Sequence, residues 1–326
     1  MSVRFLACLT AGVMLSGSLC AQPTMASGDA WQWLQRVATA AQKQNYSGIF
    51  VYQSGSHRET SRITHVLDAS GEFERLEALD GSPREVVREN DEVRCFLPES
   101  RLLIIERRGS RRSFPALLPG SLAGLTEYYS VRKGDVGRIA GMDSQSILIE
   151  PRDDNRYGYR LWVDPQSGLL LKARLVDDKG EALETFAFTE LKVGGAIDRP
   201  SVRSETEKEV SNWKVFQVRS SESRADDLPW VFRNLLPGFR RVSSVRRQIR
   251  PDAPEGIHVM FSDGLAALSV FFEPKPRDGV NDSAPVAMGA INIIRRHLAD
   301  TQLVVMGDVP APALRYFADG IEPRKK

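Results

Sequence analysis

Apolar and polar residues alternate most regularly between Arg156 and Leu191, and this pattern predicts three β-strands joined by two turns. Every second position of the three segments is apolar: Tyr157, Tyr159, Leu161 and Val163, then Leu169, Leu171, Ala173 and Leu175, then Phe186 and Phe188. The intervening segments Asp164–Gly168 and Asp177–Gly180 carry Asp and Gly, which favour chain reversals. A long sheet with one apolar face is typical of a protein that holds a ligand or a partner.

The segments before this meander extend the sheet. Apolar residues at helical spacing between Trp31 and Ala41 predict one helix, which Ser27 or Asp29 can cap. Alternating segments then predict strands at Tyr46–Gln53, Thr60–Leu67, Gly71–Ala78, Glu85–Arg88, Val93–Leu97, Arg101–Glu106, Gly137–Ala140 and Gln145–Pro151. The series is interrupted at Arg107–Tyr129, where we expect a basic loop and then a short helix around Leu122–Tyr129.

The pattern changes after Leu191, which indicates a boundary between two domains. Gly194, Gly195 and Pro200 interrupt the alternation, and the residues that follow are mostly polar or charged. Strands of the second domain are predicted at Trp213–Val218, Arg241–Gln248, Gly256–Ser262, Ala267–Pro274 and Leu303–Gly307. The segment Met288–His297 fits a helix or a strand, and the charged tail Glu322–Lys326 is expected to fray.

Residues 1–26 have the composition of a secretory signal peptide. Arg4 precedes the apolar stretch Phe5–Leu19, and Thr24–Ala26 offers a small-residue cleavage signal. Removing Arg4 with this segment lowers the formal net charge from +2 to +1, so no strong electrostatic steering is expected. Cys95 is then the one remaining cysteine, and we expect it to be a buried small apolar residue. Export argues against a nucleic-acid partner.

Residue patterns for catalysis or for a metal are missing from the sequence. His57, His65, His258 and His297 are scattered without the paired spacing of zinc ligands. The sequence has neither a GxSxG nucleophile turn nor a Gly-rich phosphate-binding motif. We therefore expect a binding protein that is not an enzyme and needs no cofactor.

Two groups of side chains are candidate binding residues. The aromatic candidates for an apolar lipid cavity on the sheet are Tyr157, Tyr159 and Phe186. The candidates for binding anionic groups are Arg107, Arg108, Arg111 and Arg112. Aromatic residues on a strand more often form a core, and clustered arginines are more often a solvated loop, so both alternatives stay open.

Several segments together resemble one family. They are YSGIFVY at 46–52, RITHV at 62–66, LDGSPREVVR at 79–88, FPALLP at 114–119, the block from 151 to 191, LPGF at 236–239, VMFSDGLAALSVFFEP at 259–274 and VVMGDVP at 304–310. In these segments the chain resembles the RseB/MucB family of periplasmic negative regulators of the sigma-E type envelope-stress response. The resemblance covers nearly the whole chain after residue 26.

The resemblance implies an α+β protein with two domains. The N-terminal domain is expected to be similar to lipoprotein carriers of the LolA/LolB type, with a half-barrel antiparallel sheet and helices across its concave face. The C-terminal domain is expected to be a smaller α+β module. The predicted organisation is a signal peptide at 1–26, the N-terminal domain at 27–195, a linker at 196–227, a partner-binding domain at 228–320 and a charged tail at 321–326.

The resemblance also implies a function. A family member would bind the periplasmic part of a membrane-spanning anti-sigma factor and shield it from regulated proteolysis. Lipopolysaccharide or lipoprotein acyl chains would be the signals that release it. The alternative is a periplasmic lipid or lipoprotein carrier that uses the N-terminal sheet alone. A monomer and a homo-oligomer are both compatible with the sequence.

Overall fold

A computed structural model describes residues 27–107, 114–119, 121–223, 228–248, 254–274, 286–298 and 300–324. Its α-helices are α1 (Ser27–Ala40), α2 (Leu125–Tyr128) and α3 (Ala311–Asp319), and 3-10 helices lie at Arg199–Val202 and Thr206–Asn212. None of the described helices has the length and apolar composition needed to span a membrane.

The first domain is built on one large open sheet. Its strands are β1 (Tyr46–Ser54), β2 (His57–Asp68), β3 (Gly71–Ala78), β4 (Glu85–Glu89), β5 (Glu92–Leu97), β6 (Leu102–Arg107), β7 (Tyr129–Ile139), β8 (Met142–Pro151), β9 (Gly158–Val163), β10 (Leu170–Val176), β11 (Ala182–Val193) and β12 (Lys214–Val218). They are arranged in the order β12-β6-β5-β4-β3-β2-β1-β11-β10-β9-β8-β7. Neighbouring strands are antiparallel except β12, which pairs parallel with β6. The predicted meander is confirmed as β9, β10 and β11.

The second domain has its own sheet. The strands after β12 are β13 (Ser220–Glu222), β14 (Trp230–Phe232), β15 (Arg240–Gln248), β16 (Glu255–Ser262), β17 (Ala267–Pro274), β18 (Val286–Met288), β19 (Ile291–Leu298), β20 (Thr301–Gly307) and β21 (Ile321–Pro323). The order in the larger sheet is β13-β15-β16-β17-β20-β19-β18, and β14 pairs with β21. The expected α+β class is confirmed.

Helix α1 covers the inner face of the first sheet. Leu34 and Val37 are buried and belong to one core with Ile147 and Leu161 of the sheet. Full burial of a side chain such as Leu34 contributes roughly 1.5–3 kcal/mol to folding. Because apolar residues alternate along β8 and β9, one face of these strands joins this core and the other faces away from α1.

A second core lies between α3 and the second sheet. Leu314 and Phe317 are buried on one side of α3 and pack into the cluster that contains Val259 and Val305 of the sheet. Each domain therefore has an apolar core of its own.

Two predictions for the second half of the chain need correction, and one open assignment is settled. The strand predicted at Trp213–Val218 belongs to the first sheet, because Trp213 packs against the core of Val87, Phe96 and Leu103 and the strand pairs with β6. The segment Met288–His297, whose sequence fits a helix or a strand, is mainly strand β19. The tail was predicted to fray from Glu322, but Glu322 and Pro323 belong to β21, which pairs with β14 next to the buried Ile321.

The predicted linker at 196–227 contains two strands, one in each sheet. β12 ends at Val218 in the first sheet, and β13 begins at Ser220 in the second. Arg219 alone separates them. A rotation of one domain against the other would therefore change the backbone dihedral angles of Arg219 or the side-chain contacts between the domains.

Candidate functional site

The inner face of the first sheet carries a cluster of aromatic residues, and one residue from a loop packs into this cluster. Phe114, from the segment before α2, is buried among Phe50, Phe186 and Phe188. The rings of Phe114 and Phe186 are stacked, with centroids 5.6 Å apart. Aromatic pairs of this kind contribute roughly 0.5–1.5 kcal/mol beyond the area they bury. The segment around Phe114 therefore closes the apolar face at this position.

The three aromatic candidates lie on the same face but have different surroundings. Phe186 and Tyr159 are half-buried and pack against the first core. Tyr157 lies where the domains meet, and its hydroxyl accepts a hydrogen bond from Asn292 Nδ2 at 3.1 Å. The structure thus places Tyr159 and Phe186 against the covered sheet and Tyr157 at the domain junction.

Of the basic candidates, Arg107 lies at the end of β6. Its side chain is 76% exposed, and Arg107 Nε is 3.4 Å from Glu92 Oε2. Arg108, Arg111 and Arg112 lie outside the described residues. Cys95, on β5, is half-buried, and burial raises the pKa of its thiol. A raised pKa disfavours the nucleophilic thiolate.

An apolar cleft of about 500 Å³ opens between α1 and the α2 segment. Its lining residues are Trp31, Gln35, Thr39, Ser121, Leu122, Ala123 and Thr126. The aromatic candidates are not among these residues.

A buried ion pair joins the two domains. Arg156 Nη1 of the first domain lies 3.0 Å from Asp263 Oδ2 of the second, and both side chains are fully buried. Tyr129 donates its hydroxyl proton to the same carboxylate oxygen at 2.8 Å. Burial and the charge of Asp263 hold the pKa of Tyr129 well above its usual range, so Tyr129 remains a donor.

Arg156 is held by further groups on both sides of the junction. Its Nη2 donates to the carbonyl oxygen of Pro237 at 2.5 Å, and its Nε lies 3.1 Å from Asp153 Oδ1. The guanidinium also lies over the rings of Tyr128 and Phe239, at 4.8 and 5.5 Å from their centroids. Such contacts satisfy a buried cation that would otherwise be costly.

The Asp263 turn is organised for this contact. Asp263 Oδ1 accepts hydrogen bonds from the amides of Leu265 and Ala266, both at 2.9 Å. Oδ2 therefore remains for Arg156 and Tyr129. At the same junction the backbone at Gly238 of the second domain packs directly on the ring of Tyr128 of the first. A side chain would not fit there, because a Cβ on Gly238 would lie 2.5 Å from that ring.

A second acidic group lies near the junction. Burial raises the pKa of Asp308 to about 7, and the nearby charges of Asp263 and Glu184 act in the same direction. Asp308 Oδ1 accepts a hydrogen bond from the amide of Ala267 at 2.6 Å. Glu184 accepts from the Tyr52 hydroxyl at 3.0 Å. The junction thus contains one carboxylate that is paired with a buried arginine and one whose pKa lies near neutral pH.

Sequence reasoning missed Arg156, Asp263 and Tyr129 as a functional unit. Arg156 precedes the meander and Asp263 lies in a turn that contains Gly264, so each has an ordinary local explanation. Their pairing spans 107 residues of chain. No local pattern predicts such a contact.

Comparison with known proteins assigns the family. A model described as the MucB/RseB N-terminal domain matches residues 29–206, and one described as the MucB/RseB C-terminal domain matches residues 224–322. The chain belongs to the MucB/RseB family. The first match contains Arg156 and the second contains Asp263, so the matches cover both domains that the ion pair joins.

Relatives in the MucB/RseB family cover nearly the same length. The sigma factor AlgU regulatory protein MucB of Pseudomonas aeruginosa is 31% identical over 321 residues, which cover 96% of this chain and 97% of the relative. The sigma-E factor regulatory protein RseB of Escherichia coli K12 is 26% identical, with 96% and 95% covered.

Solved structures of MucB have the same fold. A complex of Pseudomonas aeruginosa MucA and MucB matches with a TM-score of 0.72 and 28% identity, over 91% of this chain and all of that chain. A crystal structure of MucB, at the same identity and coverage of this chain, matches with a TM-score of 0.66 over 98% of that chain. The two-domain architecture is therefore a property of the MucB/RseB family.

Replacing Asp263 with Asn should destabilise the protein. Asn can keep the acceptor for the Leu265 and Ala266 amides, but it leaves the charge of Arg156 without this partner. Breaking a buried pair in this way costs roughly 3–5 kcal/mol. The control is Asp319→Asn, which removes an exposed pair with Arg296 and should cost less than about 1 kcal/mol. Equal shifts of the denaturant midpoint for both variants would contradict a structural role of the pair.

The stability of the protein should fall as the pH rises from 5 to 8 through the titration of Asp308. Its folded-state pKa of about 7 lies above its ordinary value of 3.8, so the folded chain holds the extra proton between these values. Asp308→Asn should flatten this part of the pH dependence in thermal unfolding. Asp154→Asn, at an exposed position, should leave the profile unchanged. An Asp308→Asn profile parallel to that of the unsubstituted protein would exclude this group as the cause.

Proposed function

We propose that this chain binds the periplasmic segment of a membrane anti-sigma factor and protects that segment from regulated proteolysis. The observation that carries the proposal is the match of both domains to a family of sigma-factor regulators. The aligned MucB structures include one in complex with the periplasmic part of MucA, at a TM-score of 0.70 and 28% identity. Regulation of this kind requires binding without chemistry on the partner.

The second domain is the proposed partner-binding domain, and it offers an exposed apolar strand. β18 is the edge strand of its sheet in the described chain, and Val286 and Met288 on it are 48% and 66% exposed. An edge strand presents backbone groups to which a partner strand can add. β18 also leads into Ala290, whose amide contacts Glu184 of the first domain at 3.4 Å. A partner along β18 would therefore lie beside the domain junction.

Amphiphiles are the proposed release signal, acting on the inner face of the first domain. The cleft at Trp31 provides apolar surface for an acyl chain, and the half-buried Tyr159 and Phe186 are the candidate apolar residues on the covered face of the same domain. Such a chain releases the partner only as far as it binds the partner-free form more tightly. A carrier that uses this sheet alone is the alternative function, and a stoichiometric acyl ligand in gently purified protein would favour it.

Export is part of the proposed function, because the partner segment is periplasmic. The n-region at Arg4, the apolar stretch and the small residues at Thr24–Ala26 support cleavage after Ala26. The mature chain would then begin at Ser27, the first residue of α1.

The purified chain should slow proteolysis of the periplasmic segment of its anti-sigma factor. At saturating protein, the half-life of the segment in the presence of its regulatory protease is expected to rise about tenfold or more. A casein substrate, digested by the same protease, controls for direct inhibition of the enzyme. Unchanged cleavage of the segment when the complex is demonstrably formed would refute the protective function.

Met288→Lys should weaken binding of the same segment. A charge on the exposed edge strand β18 opposes an apolar contact, and we expect the Kd to rise about tenfold, or about 1.4 kcal/mol. Val136→Lys is the matched control, because Val136 is 80% exposed on β7, an edge strand of the other domain. Isothermal titration calorimetry of both variants measures the effect. Similar losses for the two variants would exclude β18 as the docking strand.

A further inference from the structure

The face of the first sheet that points away from α1 carries three cations around one tryptophan. On β9, Arg160 and Trp162 alternate with the fully buried Leu161 and Val163. The outward positions on β10 include Lys172 and Arg174, on either side of the buried Ala173. We call Arg160, Trp162, Lys172 and Arg174 the outer cation cluster.

Strand register brings the cluster together. Arg174 is directly opposite Arg160, and Lys172 is directly opposite Trp162. All three cationic heads lie over the same indole ring, at 5.3 Å for Arg160, 4.8 Å for Lys172 and 5.6 Å for Arg174. The ring therefore acts as a common platform that holds the charged groups side by side.

The positive charge of the cluster is poorly compensated within the described chain. The one carboxylate within 4.0 Å of these heads is that of Asp135, which is 3.8 Å from Arg160 and whose side chain is 92% exposed. The cross-strand neighbours that flank the cluster are uncharged: Leu148 beside Arg160, Ser146 beside Trp162, Thr185 beside Arg174 and Ala187 beside Lys172. Partial burial and the two arginines lower the pKa of Lys172, which reflects the same repulsion.

Like charges placed directly opposite on neighbouring strands destabilise a sheet. Contact with the indole ring offsets part of this cost, but it leaves the net charge in place. An anion that binds between the heads would remove the repulsion. Stability and anion binding are therefore linked at this cluster.

The arrangement favours a phosphate group over a carboxylate. Each guanidinium offers two parallel N–H donors, and the Lys172 ammonium adds a third point of contact. A carboxylate has one negative charge and two oxygens in one plane. A phosphomonoester carries close to two negative charges at neutral pH and three outward oxygens, so it can engage all three cations together.

We propose that Arg160, Lys172 and Arg174, held around Trp162, form a binding site for a phosphomonoester group. The site is on the opposite side of the sheet from the aromatic inner face, and it is a different surface from the edge strand β18. Its existence does not depend on anti-sigma factor binding. The site is an open sheet face, so a free phosphate ester and a phosphate on a lipid surface share the chemistry that it recognises.

The test compares a triple variant, Arg160→Gln with Lys172→Gln and Arg174→Gln, with a matched control that removes the same charge elsewhere. The control is Lys179→Gln with Lys192→Gln and Lys208→Gln, all at exposed positions. Circular dichroism melting confirms that each variant is folded. Binding of glycerol 3-phosphate is measured by calorimetry, and binding to phosphatidic acid vesicles by flotation, with phosphatidylcholine vesicles as the blank. An acidic peptide of matched charge is the third probe.

We expect the unsubstituted protein and the control to bind at least one phosphate probe, and the cluster variant to bind it about tenfold more weakly or worse. Added salt should weaken this binding.

Loss of glycerol 3-phosphate binding in the cluster variant assigns a site for free esters, whereas an effect confined to vesicles assigns a lipid head group. Equal phosphate binding by cluster and control variants, no phosphate binding by the unsubstituted protein, or tighter binding of the acidic peptide would overturn the proposal. A negative result for phosphate binding would not contradict the proposed protection of the anti-sigma segment, because the proteolysis assay contains neither phosphate probe.

Discussion

The buried ion pair between Arg156 and Asp263 is the contact on which the two-domain arrangement depends. Removing two charges from water is costly, and the cost is recovered only with good geometry and additional hydrogen bonds. Here Tyr129, the Pro237 carbonyl and the Asp263 turn supply hydrogen bonds, whereas Arg156 Nε lies 3.1 Å from Asp153 Oδ1 without forming one. The pair is therefore a specific lock: it is favourable in one relative placement of the domains and strongly unfavourable when one partner is buried alone.

In the proposed function, a signal at one domain has to act on a partner at the other, and the junction lies between them. The first domain contributes the covered aromatic face and the second the exposed edge strand, and the β12–β13 segment crosses between them with Arg219 as the single intervening residue. An amphiphile at the inner face can change partner affinity only if it binds the two states of the junction with different affinities. The Asp308 carboxyl, whose pKa burial raises to about 7, lies near the same junction.

The sequence predicted much of the first sheet because its strands have clear alternation and turns rich in Asp and Gly. It predicted the strand β12 but assigned it to the wrong domain, because the parallel pairing of Lys214–Val218 with β6 depends on Trp213 packing in a core distant in sequence. The aromatic residues were predicted to line a cavity or to form a core, and the insertion of Phe114 among them depends on a loop whose path no periodicity encodes. Arg156 and Asp263 could not be paired from sequence, because charge patterns carry no information about contacts between domains.

A double-mutant cycle between Arg156 and Asp263 tests the central claim most directly. The free energy of unfolding is measured for Arg156→Met, for Asp263→Asn and for the variant with both changes. If the pair locks the domains, the double variant should be less destabilised than the sum of the single variants, by roughly 1–3 kcal/mol, because no charge is left stranded. Additive effects, within about 0.5 kcal/mol, would show that the two side chains act independently and would contradict the account.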